Sequence, residues 1–223
     1  MTPEPKPAMA APDGLPEDGG STGPLLGLVA RGLELWLRQQ CQMVSDLEIQ
    51  LEGSMGELLR GQLQGVRLTA RQVVFQNLRF ERVELRSDPI QIRVGGLLRG
   101  QRLRLDHPFR VRGSVALTGE GLSLSLATPA WQGLGDQLGN HLLGVTPLES
   151  VLLDGERLIW RALAADGLAQ VDTRLVLTSN GLEVCPLDGS PPLPLPMDPA
   201  IQLERAEVSA GLVELAGDAW VRP

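Results

Sequence analysis

The sequence predicts an α+β fold: a curved antiparallel β-sheet, a long amphipathic helix along it near the N-terminus, and a second short helix. Three observations carry this. Apolar residues recur at three- and four-residue steps over residues 24–44. Beyond residue 46 the apolar period becomes two and holds across most of the chain. Asp-Gly and Asn-Gly pairs then separate apolar runs in the second half, the pattern of local hairpins.

The first 23 residues, MTPEPKPAMAAPDGLPEDGGSTG, are rich in Pro, Gly and acids and carry no apolar period. They predict a disordered acidic tail ahead of a single domain over 24–223. They contain no basic and apolar leader pattern, so no secretory signal is expected. In 24–44, Leu25, Val29, Leu33, Trp36, Leu37 and Val44 share one side, and Arg31, Glu34, Arg38 and Gln42 the other. The three charges would each cost about 2.5–3.5 kcal/mol at mid-bilayer. No transmembrane helix is therefore expected. The chain is placed in the cytoplasm, and peripheral attachment to the cytoplasmic face of a membrane stays open.

Strands follow. Leu47, Ile49 and Leu51 alternate with Asp46, Glu48, Gln50 and Glu52. Val66/Leu68, Leu78/Phe80, Val83/Leu85 and Ile90/Ile92 continue the alternation, with a phase slip between Phe80 and Val83 that predicts a bulge. Leu103/Leu105, then Phe109, Val111 and Val115, then Leu122, Leu124 and Leu126 extend it. The segment GELLRGQLQGVRL (56–68) returns as GGLLRGQRLRL (95–105). Two copies are too few for a solenoid. Each reads as one Gly-bounded helical turn feeding a strand. Residues 129–143 break the alternation, with Trp131, Leu134, Leu138 and Leu142 at helical spacing. Asp154-Gly155, Asp166-Gly167, Asn180-Gly181 and Asp188-Gly189 mark turns, the Pro-rich 185–199 cannot be a central strand, and 200–207 and 211–221 close the chain as strands.

Composition limits the chemistry. The apolar share is 43%, with 42 Leu, no Tyr, and two cysteines outside any metal-ligand spacing. The net charge of −7 hides a division: residues 60–112 hold 12 Arg against four acids, and 113–223 hold 5 Arg against 14 acids. A basic stretch of that kind either attracts an anionic surface or is a solvated strand face. His107 and His141 have no ligand partners at metal spacing. GLGDQLG (133–139) misplaces the third glycine of a dinucleotide fingerprint and lacks a parallel unit around it. No nucleophile elbow or phosphate loop exists, and basic residues are not interleaved with stacking aromatics. The expectation is a non-enzymatic protein without cofactor, metal or nucleic-acid partner. A Leu-lined sheet under a long helix either packs solid or encloses a greasy groove, and spacing alone leaves both open.

The order of DLEIQLEGS, LLRGQLQGVRLTARQVVFQNLRFERVELRSDPIQI and VRGSVALTGEGLSLSLATP resembles the LmeA-like phospholipid-binding family of actinobacteria and cyanobacteria. The resemblance runs over roughly 25–220. It implies a tubular lipid-binding, BPI-like fold, with a strongly bent sheet wrapped around the long helix, and binding of an anionic phospholipid, in lipid transfer or in support of membrane and envelope assembly. On that basis Leu33, Trp36, Leu37, Val66, Leu68, Leu78, Phe80, Leu103, Leu105, Val111, Leu134 and Leu138 would line the lipid. Arg102 and Arg104 would meet its phosphate, and Trp131, with Leu134 and Leu138, would form a lid or membrane-touching edge. The alternative is an interaction scaffold at the membrane periphery with a solid core and an unknown protein partner. An enzyme acting on lipid-linked substrates would need a buried carboxylate pair that the sequence does not display.

Overall fold

The computed structural model describes residues 24–91 and 107–222. Helix α1 (Pro24–Gln40) stops short of 44, because the chain is captured by a strand. Cys41 N makes the last helical bond, to Leu37 O at 3.2 Å, and Gln42 N already donates to Val74 O at 2.8 Å. Val44 therefore belongs to β1 (Met43–Glu52). The link between α1 and β1 is so short that the helix folds back along the strand it feeds. It packs on β1, an edge strand, and on helix α2 (Met55–Leu59). The sequence reading places the helix along the sheet with the sheet wrapped around it; here it lies at one edge, with Leu35 and Trp36 exposed.

The first Gly-bounded repeat is the single turn α2. Ser54 caps it by accepting from Glu57 N, and the Glu57 carboxylate accepts from Ser54 N at 2.7 Å, a reciprocal capping box. Gly61, at φ +77°, ends it. The second copy of the repeat lies outside the described residues. Beyond α2, the short β2 (Gln62–Leu63) pairs with β5 (Ile90–Gln91) in a two-stranded ribbon.

Six strands make the main sheet. With β3 (Gly65–Phe75), β4 (Leu78–Ser87), β6 (Phe109–Thr118), β12 (Ile201–Ser209) and β13 (Leu212–Val221), the order is β1-β3-β4-β6-β13-β12, all antiparallel. Pairing fixes which residues share a face. Leu68↔Leu85, Ala70↔Val83, Val83↔Val115 and Val115↔Leu215 put one apolar row inside. Arg67↔Arg86 and Arg86↔Arg112 put arginines outside. The phase slip read between Phe80 and Val83 is real, but β4 gains no extra residue. Its register with β3 is continuous, and Gln72 of β3, at φ +47°, sits between Arg71↔Arg82 and Val73↔Phe80. Register shifts fall instead in β1, around Ser45, where Asp46 has φ +46°.

Gly113 and Gly217 face each other on β6 and β13. A Cβ at Gly113 would lie 2.0 Å from Glu84 O, and one at Gly217 2.2 Å from Gln202 O. Neighbouring backbone thus occupies the space a side chain would need, as at a tight sheet bend. Leu85, Gly113, Gly217 and Leu203 lie in one line across four strands of the main sheet.

The second sheet comprises β7 (Leu148–Asp154), β8 (Arg157–Ala164), β9 (Gly167–Thr178), β10 (Gly181–Pro186) and β11 (Leu193–Pro194), in the order β11-β10-β9-β8-β7. Three of the Gly-marked turns are its two-residue hairpins, and β11 within the Pro-rich segment is an edge, where proline is tolerated. Two helices join the sheets. Residues 119–126, read from sequence as a strand, are helix α3 (Gly119–Leu126), capped by Thr118 Oγ1, which accepts from Gly121 N at 2.9 Å. Its alternating Leu and Ser mimic a strand. The hydroxyls instead tie the helix to both sides: Ser123 Oγ accepts from Val151 N at 2.7 Å, and Ser125 Oγ from Arg79 N at 3.0 Å. Helix α4 (Gln132–Leu143) covers β7, β8 and β9.

Candidate functional site

The outer face of the main sheet is a ladder of ion pairs. Arg86 reaches Glu52 at 2.8 Å, Arg82 reaches Glu214 at 2.8 Å, and Arg112 reaches Asp88 at 2.7 Å. Arg110 donates to the buried Asp218 at 2.5 Å. That bond holds the Asp218 carboxyl below the ordinary carboxylate range, with the charges of Arg110 and Arg112 acting in the same direction. It also pushes the Arg110 guanidinium up. Among the described residues, Arg110 Nε and Asp218 Oδ2 are buried without a hydrogen-bond partner. Of the arginine-rich stretch seen in the sequence, Arg67, Arg82, Arg86, Arg110 and Arg112 are thus paired with acids.

The inner face is different. Ala70, Val73 and Val83 form a small buried nucleus, with Cys41, Val44, Leu47, Leu68, Phe80, Leu85 and Val115 only partly buried around it. Burial pushes the Cys41 thiol up. At one end of this strip the apolar wall closes under α1, α2 and the β2–β5 ribbon, where Val29, Leu58, Leu63 and Ile90 are buried against Val66 and Phe109. Toward the β3–β4 turn a cleft of about 240 Å³ opens. Val73, Phe80, Met43 and Leu124 supply its apolar wall, and Arg79, Glu81, Glu120 and Gln72 its polar lining. Val73 and Phe80 belong to both cleft and strip, so the two are continuous.

The residues expected at a lipid site do not all come together. Leu68, Phe80 and Val111 lie on the main sheet and are partly buried; Leu68 and Phe80 border the strip, and Val111 pairs with Ser87 and Ala219. Val66 belongs to the closed end, and Leu78 pairs with Phe75 at the hairpin tip. Leu33 and Leu37 are partly buried on α1 and Trp36 is exposed; the helix that carries them contacts the edge of the sheet rather than its middle. Leu138, 2% exposed, and Leu134 pack into the core between α4 and the second sheet, away from that strip. Trp131 is partly buried, and its indole donates to Gln76 O at 2.8 Å. These positions give neither Leu138 nor Trp131 the freedom of a lid. Leu103, Leu105, Arg102 and Arg104 lie outside the described residues. Sequence reasoning missed Met43, Leu124 and Arg79 at the cleft. The signal for Leu124 was the Thr118 cap, which turns 119–126 into a helix.

A family model described as LmeA-like phospholipid-binding matches residues 21–218. The chain belongs to that family. The match spans both sheets, so the LmeA-like unit includes the ion-pair ladder, the apolar strip and the helix–sheet core together. No curated protein and no solved structure matches the chain. Among the described residues, no helix of this LmeA-like chain is long and apolar enough to cross a membrane.

Proposed function

We propose that this LmeA-like chain binds a phospholipid, with an acyl chain along the partly covered strip of Leu68, Leu85 and Val115 and the headgroup at the cleft. The strip is the observation that supports the reading. Apolar side chains lie in one row on the sheet, walled at one end and continuous with a cleft at the other. Each methylene taken from water onto such a surface contributes about 0.8 kcal/mol. In this reading the sheet and α1 form a tubular envelope once lipid is in place. The protein works at the periphery of a membrane, on its cytoplasmic face, in lipid transfer or in support of membrane assembly.

The headgroup's phosphate gives the ligand its negative charge. Most arginines of the outer face are engaged by carboxylates, so a preference for a further anionic group falls on the cleft's Arg79 and on Arg102 and Arg104. Extraction of the purified protein into organic solvent followed by mass spectrometry tests the reading. A stoichiometric phospholipid supports it; a lipid-free extract from protein purified without detergent counts against it.

One observation favours a second reading, a docking scaffold with a solid core. The cleft of about 240 Å³ is below the roughly 300–1,000 Å³ of typical ligand pockets. A stable heteromer in place of bound lipid would support that reading.

A further inference from the structure

We propose that the protein seats on a phospholipid bilayer through exposed apolar side chains at the cleft: Met43 and Leu124 of its lining, with Phe75 and Trp36 on the elements that adjoin it. This rests on the phospholipid reading above. Met43 is 54%, Trp36 49%, Leu124 43% and Phe75 39% exposed. Four separate elements bring them to one end of the molecule. Met43 opens β1 and pairs with Val74, the neighbour of Phe75. Leu124 projects from α3, and with Met43 it lines the cleft. Trp36 lies in the last turns of α1, whose end is tied to the same place by the bond from Gln42 N to Val74 O.

Single exposed apolar side chains carry no message, but a group around one opening does. Indole favours the headgroup level of a membrane, and Phe, Leu and Met favour the acyl boundary beneath it. Arg79 lines the mouth and Arg71 adjoins Gln72 of its lining; both are exposed, and neither has an ion-pair partner among the described residues. They can meet lipid phosphates. Glu81 and Glu120 line the same mouth. Apolar contact therefore carries the attachment, and added salt should weaken it little. The occupant is a bilayer because a lipid tail reaches the cleft without crossing water only if the mouth faces one. A protein over the same rim would close it.

The test is flotation with vesicles of phosphatidylcholine containing a minority of phosphatidylglycerol, alongside phospholipid extraction from each protein. Met43→Asp/Leu124→Asp should lower vesicle partition by roughly tenfold or more. Met43→Gln/Leu124→Gln should lower it less, and serves if the Asp pair does not fold. Leu163→Asp, at a side chain 73% exposed on the second sheet, should leave it unchanged. Folded rim variants that partition like the parent, or an equal loss in Leu163→Asp, overturn the rim. If the parent still carries phospholipid, the binding reading survives that result. A parent that carries none sinks the reading and the rim with it.

Discussion

The two sheets use the same leucine-rich vocabulary to opposite ends. In the second sheet, Val151, Leu158, Trp160, Val171 and Val184 are buried, and α4 with Leu138 and the β12–β13 end of the main sheet with Val208 and Val213 close over them. In the middle of the main sheet, Leu68, Leu85 and Val115 share a face just as apolar but stay partly open. The difference is one of covering layer. The second sheet has α4 across three strands of its inner face, whereas on the main sheet α3 reaches only β4 and β6, beside the cleft, and α1 stays at the edge. Apolar composition therefore does not distinguish a closed core from an open face; the covering element does.

The comparison can be broken most directly by truncating leucines on each side. Leu158→Ala, in the closed half, should cost about 2–5 kcal/mol of unfolding free energy in denaturant titrations. Leu85→Ala should cost distinctly less and lower bound phospholipid instead. Equal costs would mean that both faces are cores. A smaller effect is expected where polar groups support the closed half. Trp160 Nε1 donates to Thr173 Oγ1 at 2.7 Å in a buried setting. Thr173→Val leaves that donor without a partner and should cost roughly 1–3 kcal/mol by the same titration, with lipid content unchanged.

Smaller again is the cap on α2, which belongs to the closed end of the strip. Ser54→Ala should cost about 0.5–2 kcal/mol, read as a lower Tm. The subtlest probe is acid. Because the folded Asp218 carboxyl titrates below its unfolded value, its stabilisation is fully present above the ordinary carboxylate pKa. It disappears as the pH falls through the folded value. Asp218→Asn should flatten the acid limb of a stability-against-pH curve; an unchanged limb would show that the pair with Arg110 does not matter.

Much of this was legible in the sequence. The switch of period near residue 46, the Gly-marked hairpins and the terminal strands are local patterns, and local patterns fix β1, the β7–β10 meander and the β12–β13 pair. The Gly-bounded turn at 56–61 was legible for the same reason. Helix α3 was not, because Leu122, Leu124 and Leu126 alternate with two serines whose hydroxyls are consumed by backbone groups far away in sequence. The strip was half legible. Val66, Leu68 and Phe80 stood out by alternation, but which neighbour covers them depends on where α1 and α4 pack, and periodicity holds no information about that. Leu138 shows the limit: its helical spacing marks an apolar face correctly and says nothing of which sheet that face meets. The outer arginines show it too, since their neutralisation by Glu52, Asp88, Glu214 and Asp218 is set by register across the sheet.

Filling the strip is the sharpest single measurement. Val115→Trp places a large side chain on the face between Val83 and Leu215. If the strip is open ground for an acyl chain, the variant should keep or raise the parent's Tm while losing its phospholipid on extraction. A solid core would instead be overpacked, at a cost of about 1–3 kcal/mol. A destabilised variant beside a parent that never held lipid would contradict the binding face outright.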